Sequence, residues 1–260
     1  MKRDAFRVLT SAVLLLAVAT VAQSPTKKLL YTFELGTQPL EVTGMKDVHL
    51  SDWQQYGLGT TEGRILLPMS EANTDVPFGI GGSIGSVYYL NSNVGTTVRI
   101  PFAYNMGSYM VGISGGLSFA LVRNENLSIS VEPLVGYSYI LMTPTEVEVL
   151  PGKTPPVITP NYTINEGDTV SGNAMGLYAE VSIVPTMAIT PTLGLVGRAG
   201  YRIGLTGKPV IMINNTSKSK EIKFSDPAVV QPDGSSDPVS FKGEINTTGI
   251  IVGLGVIYSL

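Results

Sequence analysis

The chain has 260 residues, of which 43% are hydrophobic and only 14% charged, with 29 Gly, no Cys and a single His. The charged share lies well below the ~25% of an average soluble domain while the apolar share is ordinary, which excludes a disordered chain; the absence of Cys excludes a disulfide scaffold, a Cys-bound zinc site and thiol catalysis. A net charge of -3 gives no electrostatic ground for a nucleic-acid partner, and one uncharged apolar run cannot build a bundle of membrane helices, each needing about 20 such residues.

That run comes first. Lys2, Arg3 and Arg7 precede Val8 to Ala22, which ends in Ala19-Thr20-Val21-Ala22 before the polar Gln23-Ser24-Pro25. A basic start, a short apolar stretch and a small-residue ending form the pattern of a secretory signal peptide. Residues 1–22 are expected to be removed, leaving 23–260 as one exported domain.

Beyond the leader the hydrophobic period is two. Lys27 to Gly36 is a candidate first strand, and Arg64 to Met69 competes for that place. Between them Asp47-Val-His49-Leu-Ser51 sets an acid, a base and a hydroxyl at alternate positions, the residue types of a hydrolytic triad. On an extended chain such positions lie about 7 Å apart, beyond direct hydrogen-bond reach. A solvated loop is therefore the expectation, and no enzyme is expected. Phe78 to Leu90 and Thr96 to Tyr104 follow as strands. In Ser108 to Val122, Tyr109, Val111, Ile113, Leu117, Phe119 and Leu121 share one parity, while Gly112, Ser114, Gly116, Ser118 and Ala120 share the other. Leu127 to Leu141, Ala174 to Val184, Ala188 to Gly204 and the last twelve residues repeat the contrast, giving eight strands. Asn165-Glu166-Gly167-Asp168, in a connection, offers oxygens to a divalent cation but reads as an ordinary turn, and no cofactor or metal is expected.

The small-residue face decides the architecture. A soluble sheet would carry Lys, Glu, Asp and Arg on the face opposite its core. Here that face holds mostly Gly, Ser, Ala and Thr. A closed barrel of eight strands has an interior just wide enough for side chains to fill, so small residues belong inside and the bulky set outside, toward lipid. The fold predicted is thus all-β: a closed antiparallel up-and-down transmembrane β-barrel of eight strands with long extracellular loops. The charges agree in parity. Arg99, Glu132, Glu180, Arg198 and Arg202 all fall among the small residues, and are expected to form an interior ion-pair network that fills the tube.

Connection lengths alternate as well. Turns near Asn91 to Gly95, Arg123 to Asn126 and Pro185 to Met187 are short, whereas Thr37 to Asp75, Thr143 to Thr169 and Thr206 to Ile245 are long, with one tight exception at Asn105 to Gly107. Short inner turns and long outer loops are the bacterial pattern. Tyr88, Phe119 and Tyr258 are placed near the inner strand ends, and Phe102, Tyr104, Tyr109, Tyr137, Tyr139 and Tyr201 near the outer ends, as two aromatic girdles.

The chain resembles the small bacterial outer-membrane barrels of the OmpA/OmpX kind. The final Gly255-Val-Ile-Tyr258-Ser-Leu260 is similar to their C-terminal insertion signal, departing from it by ending in Leu rather than Phe or Trp. The resemblance implies a place in the bacterial outer membrane among its lipids, and assembly by the outer-membrane insertion machinery with periplasmic chaperones. The function expected is a non-enzymatic surface protein serving envelope integrity, recognition or adhesion. A small outer-membrane channel and a secreted β-sandwich adhesin are the alternatives.

Overall fold

The computed structural model describes residues 29–45, 48–50, 65–124, 126–149, 151–152, 157–159, 162–163, 165–207, 210–214, 221–224 and 243–259. Residues 1–22, Leu260, and Asp47 and Ser51 lie outside them. Eight long strands carry the fold: β1 Leu29–Pro39, β2 Phe78–Tyr89, β3 Val94–Asn105, β4 Ser108–Arg123, β5 Leu127–Glu146, β6 Thr169–Ala188, β7 Leu193–Thr206 and β8 Gly249–Ser259. Each pairs antiparallel with its neighbour in sequence, and β8 pairs back onto β1 through Tyr31↔Tyr258 and Glu34↔Gly255. The sheet is therefore a closed barrel. Closure removes both edges and gives every strand two hydrogen-bonding partners.

The first strand is the segment beginning at Leu29. Ile65–Leu67 instead forms a short strand in a connection, paired with Val48–Leu50 and Glu148–Val149. The sandwich alternative falls with closure, because the bulky rows do not meet across two sheets. They point outward: Ile113 is 58% exposed, Val135 69% and Leu254 74%. Phe119 departs from this. It keeps the outward register between Val94 and Val131 but is buried, beside a register shift at Ala120 to Val122, so it does not belong to an aromatic girdle.

Three short turns sit at one end, here the turn end, and all share one device. Asn91 Oδ1 accepts from the N–H groups of Asn93 and Val94, Asn124 Oδ1 from those of Asn126 and Leu127, and Thr190 Oγ1 from that of Leu193. Such side chains close the chain on itself by imitating a backbone turn. The third turn is therefore at 189–192 and not at Pro185 to Met187. Pro185 remains inside β6 opposite Ile129, and because proline has no N–H, the register toward β7 runs from Ile183↔Ala199 directly to Thr186↔Val196.

At the other end, the loop end, β3 and β4 meet through Met106 (φ 41°) and Gly107 (φ 91°), whose positive φ values suit a tight hairpin. The remaining connections there are long. β5 and β6 rise beyond the barrel, where Val210–Asn214 pairs with Thr169 to Asn173 and Glu221–Phe224 pairs in turn with Val210–Asn214. The result is a raised sheet of four strands. A lid crosses the mouth beside it: Asn105 Nδ2 donates to the carbonyls of Leu40 (2.6 Å) and Val76 (2.9 Å), Thr74 Oγ1 accepts from Val42 N–H, and Glu41–Thr43 pairs with Glu244–Asn246.

Candidate functional site

The alternation that turns bulky rows outward turns Thr32, Glu34, Arg99, Glu132, Glu180, Arg198 and Arg202 inward, onto five strands of one tube. All are buried. Arg198 is the hub. Its Nε donates to Glu34 Oε2 (2.7 Å), Nη1 to Glu180 Oε1 (3.2 Å) and Nη2 to Glu132 Oε2 (3.0 Å). Arg99 bridges Glu34 and Glu132, with Nη1 donating to Glu34 Oε1 at 2.6 Å and Nη2 to Glu132 Oε2 at 2.8 Å; the same Nη1 also donates to Thr32 Oγ1. Arg202 Nη2 donates to Glu180 Oε2 (2.9 Å), and its guanidinium lies 4.3 Å over the Tyr178 ring. Ser182 Oγ donates to Glu180 Oε1. Three cations thus meet three carboxylates in a layer with no formal net charge. Charges held away from water need such partners, because an uncompensated ion there is very costly.

Small residues make the room. A Cβ on Gly85 would meet Arg99 Cγ and Thr32 Oγ1, each at 3.0 Å, and one on Gly136 would meet the Tyr178 ring at 2.5 Å.

The five charged residues singled out by parity are therefore brought together, and the structure adds a sixth, Glu34. Its signal was available in Tyr31, Phe33 and Leu35 alternating with Thr32, Glu34 and Gly36. The interior is also less uniformly small than the pattern suggested. Toward the loop end, Leu40, Met110, Ile140, Met142 and Ile251 are buried beyond the ion layer. Toward the turn end, Val184, Val196 and Ile257 pack with Leu30. Below them opens a cavity of about 350 Å³, rimmed by Tyr89, Arg123, Asn126 and Thr192, with the Arg123 guanidinium 4.1 Å over the Tyr89 ring. The lumen is thus filled in three strata: an apolar floor, an ion layer and an apolar layer under the lid.

Among the described residues the other candidates supply no assembled chemistry. His49 lies in Val48–Leu50, but its two predicted companions fall outside the described residues. Asn165 to Asp168 is a turn in which Asp168 Oδ2 accepts from Asn165 N–H at 2.8 Å and Gly167 takes φ 79°. No group of three metal-binding side chains occurs among the described residues. Of the C-terminal motif, Gly255 and Tyr258 sit in β8, Gly255 opposite Glu34 and Val196, and Tyr258 exposed on the outer wall. That wall also carries an apolar hollow of about 530 Å³ between Leu35, Ile80, Phe102, Tyr104, Tyr109 and Tyr139.

No protein-family model matches the chain, and no curated protein matches it. Solved structures do. A major outer membrane protein from Thermus thermophilus is 11% identical over 90% of this chain and 100% of its own, with a TM-score of 0.47. The outer membrane protease OmpT from Escherichia coli is 9% identical over 93% and 99%, TM-score 0.39. Ail, the attachment invasion locus protein of Yersinia pestis, is 10% identical over 89% and 98%, TM-score 0.34. At these identities the likeness concerns the fold alone.

Proposed function

We propose that this eight-stranded barrel of outer-membrane type is a sealed, non-enzymatic anchor in the bacterial outer membrane, and that its long connections form a surface for recognition or adhesion. The observation that carries the reading is the raised sheet of residues 143–146, 169–173, 210–214 and 221–224, which extends the wall of β5 and β6 past the rim. Nothing about closing a barrel requires that extension. The bulky outward wall supports the membrane location, because an exposed apolar surface of that extent calls for a nonaqueous partner. The filled lumen supports an anchor over a channel.

Residues 1–22 act in this reading as a cleaved leader, and Gly255, Tyr258 and Leu260 as the signal read by the insertion machinery after chaperoned transit of the periplasm. The loop end then faces outward. An epitope placed between Gln231 and Pro232 should be stained on intact cells and removed by external protease, while one placed between Asn124 and Glu125 should be protected. Reversed accessibility would overturn the orientation. In planar bilayers the purified protein should give no discrete conductance steps, and regular steps would favour the channel reading.

A further inference from the structure

The loop-side edge of the ion layer contains a place the layer itself does not complete. Among the described residues, Arg202 Nε, Ser83 Oγ and Gln38 Oε1 are buried polar atoms without a hydrogen-bond partner. Their residues are 1%, 3% and 4% exposed. All three side chains line one small cavity of about 10 Å³, together with Arg99, Arg198 and Glu180. Pro101 lines it too. Pro101 stands opposite Ser83 and has no N–H to donate, and the register between β3 and β4 lapses there, running from Arg99↔Ser114 to Phe102↔Val111.

We infer that this cavity is a binding site for one neutral hydrogen-bonding molecule, a single water, held by Arg202 Nε, Ser83 Oγ and Gln38 Oε1. Size is the first argument: a cavity of about 10 to 15 Å³ on this measure holds one water. Charge is the second. Arg99 and Arg198 already direct their donors at carboxylates, so three guanidiniums are balanced by three carboxylates. An added anion would face Glu180 and the Gln38 carbonyl oxygen, and an added cation would face three arginines. The third argument is complementarity. Arg202 Nε offers a proton, Gln38 Oε1 accepts one, and the Ser83 hydroxyl does either. Water alone can accept from the first and donate to the second without altering the charge. Its place joins Gln38, at the end of β1 where the lid begins, to the Arg202 and Glu180 pair. The lid and the ion layer are thereby tied through one molecule.

The test is a high-resolution crystal structure of the detergent-solubilised protein grown with bromide as the halide and measured at the bromine edge. The expected result is one compact peak about 2.7 to 3.2 Å from the three atoms, with no anomalous signal. An anomalous peak would make the site an anion site, and featureless density would make the cavity dry; either overturns the inference. Gln38→Leu removes the accepting oxygen and puts an apolar group in its place, and should displace the peak. A peak unchanged in that variant would also overturn the three-partner site.

Discussion

Two neighbouring strata fill the same tube by opposite means. The ion layer joins side chains from β1, β3, β5, β6 and β7 through directional contacts, each guanidinium fork aimed at carboxylates on other strands. The apolar layer above it, of Leu40, Met110, Ile140, Met142 and Ile251, closes chiefly by volume, its side chains taking one directional contact, from Arg202 Nη1 to Met110 Sδ. Packing tolerates rearrangement when volume is kept, whereas an ion that loses its partner has none to replace it. The strata should therefore fail differently.

The sharpest break in that contrast is Arg198→Ala, which takes a cation from Glu34, Glu132 and Glu180 together. Stability should fall by about 3 to 5 kcal/mol, the cost of removing one partner of a buried ion pair. Equilibrium unfolding in urea from lipid vesicles measures it. The charge-balanced double variant Arg198→Met/Glu34→Leu should be more stable than Arg198→Ala; if it were less stable, pairing would not be what the layer depends on. In the apolar layer, Ile140→Ala should cost about 3 kcal/mol, from lost transfer energy and the cavity left behind. Here Ile140→Leu should recover most of the loss in the same assay, as Arg198→Met, which keeps bulk but not charge, should not.

The two strata were also unequally visible in the sequence. Arg99, Glu132, Glu180, Arg198 and Arg202 declare themselves because a charge among glycines and serines is conspicuous at period two. Glu34 does not declare itself because its strand competes with Arg64 to Met69, and parity means nothing until the strand is chosen. Met110, Ile140, Met142 and Ile251 have the outward residue type at inward positions, so alternation cannot distinguish a lumen filler from noise. Pro185 has the residue type of a turn former, whereas inside β6 it interrupts pairing on one side only. The raised sheet depends on residues 210–214 finding a partner some forty positions earlier, a pairing with no local mark. The strands and their order were local properties and were legible; what fills the tube and what stands on it are not local.

The wall sharpens the contrast from outside, since the same charge that is held within the layer has no partner among lipid tails. Val135→Arg, on the exposed middle of β5, should cost about 2 to 3 kcal/mol in vesicles, and Leu127→Arg at the turn end about 0 to 1, because the penalty for a lipid-facing charge falls toward the interface. Refolding equilibria of the two variants check the gradient. Equal costs would remove the membrane from the explanation.

The most local effect is expected where the apolar layer meets its lid. Asn105 and Ser108 pair across the turn formed by Met106 and Gly107, and Asn105 then clamps the lid through the carbonyls of Leu40 and Val76. Gly107 stands at φ 91°, where a Cβ crowds the backbone. Gly107→Ala should therefore cost about 1 kcal/mol, the usual strain of a side chain in that region. Because the lid hangs on Asn105, the local consequence should exceed the global one: amide exchange at Val42 and Thr74 should quicken while amides of the ion layer, such as Arg99 and Glu132, keep their protection. Uniform loss at both would mean that lid and ion layer open as one unit, and the two strata would then differ in chemistry but not in cooperativity.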